Sequence, residues 1–101
     1  MNEEIRPSVK PLLIELGGEI DLRNAEALDE ALCAAIDRSD AELLVDLSTV
    51  PFIDSSGMRM MIRVHEHATV HNSGVRWRGI QPDPARAVAA MGLDHVLHFD
   101  Q

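Results

Sequence analysis

Leu43-Leu44-Val45-Asp46-Leu47, followed a few residues on by Phe52-Ile53-Asp54-Ser55-Ser56-Gly57-Met58, is the stretch that decides the fold. The first part, residues 43–47, is apolar except for Asp46, the pattern of a central strand covered on both faces. Pro51 to Ile53 then lead into an Asp-Ser-Ser-Gly turn, and a helix begins near Ser56. Over roughly 56–72 that helix turns Met58, Met61, Ile62, His65, Ala68 and Thr69 to one side. Asn72-Ser73-Gly74 stops it. A hydroxyl at such a helix start lies at the positive end of the helix dipole, beside backbone N–H groups that have no intrahelical partner. It can cap the helix, face an anion or carry a phosphate.

The flanking sequence extends the same alternation. Leu12, Ile14 and Leu16 alternate with Leu13 and Glu15, a strand pattern, and Gly17-Gly18 marks a turn or bulge before a second short strand, Glu19-Ile20-Asp21-Leu22. Asn24 is placed to cap a helix running to about Arg38, with Ala25, Leu28, Ala31, Leu32, Ala35 and Ile36 on its apolar face. Val75 to Ile80 reads as a strand with Trp77 inward and Arg76 and Arg78 outward. Pro82 to Met91 reads as a helix entered through proline and stopped at Gly92. Val96 to Phe99 makes a last short strand. The result is one α/β domain over 11–101, a small mixed sheet of four to five strands packed with three to four helices, after a loose lead-in over 1–10.

At 101 residues the chain holds one core and not two. No apolar run approaches the roughly 20 residues of a membrane span. Met1-Asn2-Glu3-Glu4 lacks the apolar centre of a signal peptide, and the single cysteine, Cys33, rules out a disulfide framework, so a cytoplasmic protein is expected. The formal net charge of -8 argues against nucleic acid, whose phosphates need a basic face. Thirteen of the 17 acidic residues fall within residues 1–58, which favours a basic or mixed protein partner.

Enzymatic readings fail on their parts. A nucleophilic serine needs a base and an oxyanion hole, yet no Gly-x-Ser-x-Gly elbow occurs. His65 lies about two and a half turns from Ser56. A phosphoacceptor site built on Asp21, Asp46 and Asp54 would need a lysine on a nearby strand, and the one lysine, Lys10, precedes the first strand. His67 and His71 are spaced i,i+4, but no His-Glu-x-x-His pattern accompanies them, so no metal site or cofactor is expected and they read as surface histidines. Cys33 lies beside Glu26 and Asp29 on the helical wheel, which raises its pKa rather than activating it. What remains is a binding module. Met60, Val64, His67 and His71, flanked by Arg59 and Arg63, form a second ridge beside the serine turn that suits a partner contact.

Taken in order, these residues resemble the STAS domain of bacterial anti-sigma-factor antagonists. Gly18-Glu19-Ile20-Asp21-Leu22 is similar to the family's early Gly-Glu-Leu-Asp segment, and Leu44-Val45-Asp46-Leu47-Ser48 with Phe52 to Gly57 is similar to its core strand and phosphorylation turn. Ile80-Gln81-Pro82-Asp83-Pro84-Ala85 and Met91-Gly92-Leu93 resemble its later loop, helix and Gly-Leu ending. The resemblance implies a non-enzymatic protein that binds an anti-sigma factor with an ATPase-like serine kinase fold and so releases a sigma factor for transcription. It implies phosphorylation at the serine directly after the aspartate, Ser55, and a phosphatase that reverses it. It also implies that Asp21, Asp54, Ser56 and Gly57 lie at or near the contact surface. Met58-Arg59 departs from the family's Leu-Gly at this point, and Arg59, one turn beyond Ser55, stands where it can pair with a phosphate. The alternative reading is a STAS subunit of another assembly, such as a lipid-transport ABC ATPase or a stress-signalling complex, with no phospho-switch.

Overall fold

The computed structural model describes residues 10–100, so all of the lead-in expected over 1–10 except Lys10 lies outside the described residues. The chain runs β1 (Leu12–Gly17), α1 (Ala25–Arg38), β2 (Leu43–Thr49), α2 (Ser55–Val70), β3 (Val75–Arg78), α3 (Pro82–Ala90), a 3-10 turn at Leu93–His95, and β4 (Phe99–Asp100). The strands form one sheet in the order β1-β2-β3-β4. Every pairing is parallel, with Ile14 opposite Val45 and Val45 opposite Trp77. The sheet is therefore parallel rather than mixed. Each neighbour is reached through a helical crossover, and crossovers of one hand taken in one direction put their helices on the same face.

That face carries the core. Leu43, Val45 and Leu47 of β2 and Val75 and Trp77 of β3 point into it and are buried. They meet Leu32, Ala35 and Ile36 of α1 and Met61, Val64 and Ala68 of α2 in one cluster, which Val88, Leu93 and Leu97 close. The other face of β2 is not covered by a second helical layer. Its alternate residues lie among ion pairs: Arg78 to Asp46 at 3.0 Å, and Arg76 to Glu42 at 3.4 Å and to Asp100 at 3.1 Å. Leu44, beside its partner Leu13 of β1, adds an apolar patch there, so the near-continuous hydrophobic run reflects one buried face and one largely salt-bridged face.

Residues 19–22 do not form a strand. Gly18 takes a left-handed φ of 74°, and Ile20 keeps only an isolated parallel bridge to Ile53. The chain then folds into a turn: Asn24 Oδ1 accepts from the Asp21 N–H at 3.0 Å, and Asn24 Nδ2 donates to the Glu19 carbonyl at 2.8 Å. Asn24 thus occupies the cap position of α1, but its side chain reaches backward to lock the turn instead of bonding the helix. In α1 Ala31 is exposed, so its apolar face is narrower than expected.

The later boundaries also differ slightly. Asn72, at φ 55°, ends α2, with the Ser73 N–H on the Ala68 carbonyl at 2.8 Å. β3 stops at Arg78 because Gly79 turns left-handed at φ 71°. The last strand starts at Phe99, since the segment after Gly92 coils into the 3-10 turn before joining the sheet. No helix among the described residues is long and apolar enough to cross a membrane.

Candidate functional site: the serine turn at the start of α2

The turn after β2 is held on the early segment of the chain. The Ile20 N–H donates to the Phe52 carbonyl at 2.9 Å, and the Asp54 N–H donates to the Ile20 carbonyl at 3.1 Å. Asp54, with extended backbone, is the N-cap of α2, its Oδ1 accepting from the Gly57 N–H at 3.0 Å. Capping therefore belongs to the aspartate and not to Ser56. Neither serine hydroxyl has a side-chain hydrogen bond among the described residues, and Ser55 is exposed at the first helical position while Ser56 is half-buried.

Gly57 is buried for a steric reason. A Cβ at this position would stand 2.7 Å from Ile53 Cγ2, 2.8 Å from Ile20 Cγ2 and 3.2 Å from the Ile20 carbonyl oxygen. The glycine lets the first turn of α2 sit directly on the Ile20–Ile53 bridge, which brings Leu22 beside Ser56 in one cleft.

The Asp21 carboxylate is engaged within the turn. It accepts from the Arg23 side chain, 2.7 Å from Nη2, and from the Arg23 N–H, and these bonds hold its pKa below the usual value. Arg59 is exposed and makes no ion pair among the described residues. Arg63 pairs with Asp29 of α1 at 3.3 Å. Ser56, Arg59 and Arg63 from α2 and Leu22, Glu26 and Asp29 from the α1 side line a shallow cleft of about 300 Å³.

Met60 and Val64 are not a surface ridge. They are 2% and 0% exposed, in the seam where α2 packs against α1, because α2 is buried on two sides, by the sheet and by its neighbouring helix. Val64 is out of a partner's reach and Met60 shows only at the floor of the cleft, so neither forms the surface ridge expected of them. His65, on the same helix side as the buried Met61 and Ala68, is itself only half-buried, beside His98 with ring centroids 5.5 Å apart. Two residues overlooked in the sequence do lie at the surface here: Leu22 is 78% exposed and Phe52 48% exposed. The period-2 contrast of Phe52 with buried Ile53 was the available signal for Phe52.

The acids do not gather for phosphoacceptor chemistry. Asp54 caps α2, and Asp46 accepts from the Ser48 N–H at 2.7 Å and from Arg78; the Ser48 side chain first, then its N–H and Arg78 lower the Asp46 pKa to about 2. Cys33 is driven up to about 12, by burial first and by its hydrogen bond to Asp29 second, so it is held as the unreactive thiol.

The family model described as "Mlab, STAS domain" matches residues 5–98. The chain belongs to the STAS domain family. Within that family it is 37% identical over 88 residues to the anti-sigma-F factor antagonist RsfB of Mycobacterium tuberculosis, a match that spans 86% of this chain and 70% of the relative. Its STAS fold is shared with SpoIIAA, an anti-sigma factor antagonist solved in its unphosphorylated form, at a TM-score of 0.74 and 17% identity, covering 94% of this chain and 85% of that one. It is also shared with a sulfate transporter family protein of Wolinella succinogenes, at a TM-score of 0.71 and 18% identity over 93% and 82% of the two chains.

Proposed function

We propose that this STAS domain is an anti-sigma-factor antagonist, a binding module switched off by phosphorylation of Ser55. The identity to RsfB supports the partner class, an anti-sigma factor. The observation that carries the switch is the division of labour at the turn: Asp54 takes the capping bond and leaves Ser55 exposed with no structural duty. The contact surface then centres on Ser55, Ser56 and Arg59, with Leu22 and Phe52 as its apolar anchors and Arg63 and Asp21 at its margin. The partner's kinase fold, and a phosphatase that resets the serine, belong to the same proposal.

The physics of the switch is local. Phosphorylation adds about 1.5 to 2 negative charges at pH 7. Within this chain the added charge sits at the positive end of α2 and one turn from Arg59, which has no ion-pair partner among the described residues, so the fold tolerates it. At the interface the same charge must be desolvated beside Phe52 and Leu22, which disfavours the complex.

Incubation with the cognate anti-sigma factor and ATP, followed by intact-mass measurement and peptide mapping, tests this. One phosphate is expected, on Ser55, absent in Ser55→Ala and retained in Ser56→Ala. The phosphorylated form loses binding in a pull-down, while Ser55→Ala binds constitutively. Labelling at Ser56 alone, or unimpaired binding after labelling, would overturn the switch. Absence of both labelling and binding favours the subunit of another assembly.

A further inference from the structure

We propose that Asp37, His67 and His71 form a binding site for one divalent transition-metal ion, zinc foremost, which staples the C-terminal end of α1 to that of α2. Asp37 is the penultimate residue of α1, His67 lies in the last turn of α2, and His71 is its C-cap. One ligand atom from each can be chosen so that all three lie within 4.8 Å of one another. His67 Nε2 is 2.7 Å and His71 Nε2 is 3.6 Å from the same oxygen, Asp37 Oδ1. The two imidazole rings lie against each other, centroids 4.2 Å apart with their planes tilted by 31°.

The hydrogen-bond pattern gives the cluster its direction. His71 Nδ1 is 2.9 Å from the His67 carbonyl oxygen, which only accepts, so the hydrogen of a neutral His71 ring resides on Nδ1. Nε2 then presents its lone pair toward the Asp37 carboxylate, another pure acceptor. Asp37 Oδ1 thus faces both imidazole Nε2 atoms, and a cation can replace the hydrogen it shares with His67 while taking the His71 lone pair as well. A bond from the remote ring nitrogen to a carbonyl is also the usual support of a metal-ligating histidine.

The donor set selects the ion. Two imidazoles and one carboxylate suit zinc, nickel or copper, whereas calcium and magnesium favour all-oxygen shells. Ligands around a tetrahedral zinc, at about 2.0–2.1 Å from the metal, stand roughly 3.3 Å apart. The two separations of 2.7 and 3.6 Å bracket that spacing, so small side-chain rotations suffice. All three residues retain solvent contact, which leaves water to complete the shell. The i,i+4 histidine spacing alone reads as surface; the third ligand comes from a helix 30 residues away in sequence and is visible only in the fold.

Titration of tag-free, chelator-stripped protein with zinc chloride, followed by calorimetry, tests the site. One equivalent is expected to bind. Asp37→Asn, His67→Gln and His71→Gln each weaken binding by at least about tenfold, the loss typical even of a supporting residue. His95→Gln, on a histidine whose side chain is 85% exposed, leaves it unchanged. At zinc concentrations about 100 times the wild-type dissociation constant, melting rises by roughly 10–20 °C in the wild type and by about half as much or less in the three variants. No binding, or binding that survives His71→Gln and Asp37→Asn, overturns the site and leaves a proton-bridged surface cluster. These measurements involve no anti-sigma factor, so they stand apart from the test of Ser55.

Discussion

Replacing Gly57 by alanine sets two opposed effects against each other. Helix propensity alone favours alanine over glycine by about 1 kcal/mol. The structure reverses that sign. The new methyl would stand 2.7 Å and 2.8 Å from the Cγ2 atoms of Ile53 and Ile20, and neither β-branched side chain has room to turn away inside the core. The Ile20 carbonyl oxygen, 3.2 Å away, is backbone and already receives the Asp54 N–H. Overpacking of this kind costs about 3 kcal/mol at the upper end of its range. The net loss is then about 2 kcal/mol, or roughly 10 °C in melting temperature for a chain of this size. Trp77, the one tryptophan and fully buried, supplies the fluorescence signal for the melt. In a double-mutant cycle Ile53→Ala removes one of the two obstructing methyls, so Gly57→Ala should cost less in that background. An unchanged or raised melting temperature for Gly57→Ala would refute the close approach of α2 to the Ile20–Ile53 bridge.

Two further outcomes follow from the same contacts. Asp54→Ala removes the bond to the Gly57 N–H and should destabilise by about 1 kcal/mol in a denaturant melt, with Asp54→Asn retaining most of the stability; equal losses in both variants would show that the capping bond is not the cause. Asp46 has a folded pKa lowered from 3.8 to about 2 by its bonds to Ser48 and Arg78, so its contribution is complete above the unfolded value and lost as pH falls through the folded one. The stability gap between wild type and Asp46→Asn should be constant above about pH 4.5 and close toward pH 2; a gap independent of pH across that window contradicts the assignment.

Much of the fold was legible because its signals are local. The helical periodicities of α1, α2 and α3, the break at Asn72 and the stop at Gly92 all lie in adjacent residues. Sheet direction was not, since parallel pairing depends on which crossover each helix makes and not on any strand's own composition. Glu19 to Leu22 carries the alternation of a strand, yet Gly18 and the backward-reaching Asn24 side chain turn it into a loop. At the site, Asp54-Ser55-Ser56-Gly57 was visible as a helix start, but not which residue caps. Met60 and Val64 show the limit most clearly. Helical spacing ranks residues around one helix, and it is silent about a second helix packed beside it.

The strand order β1-β2-β3-β4 is also the order of synthesis. Each new strand finds its neighbour already in place, one helix upstream, so no strand waits for a distant segment and loop closures stay short. The chain can assemble from its N-terminal side as it is made. Trp77 enters with the third strand, and its burial marks the moment when the serine turn, which follows the second strand and is held on the segment after the first, has already been built.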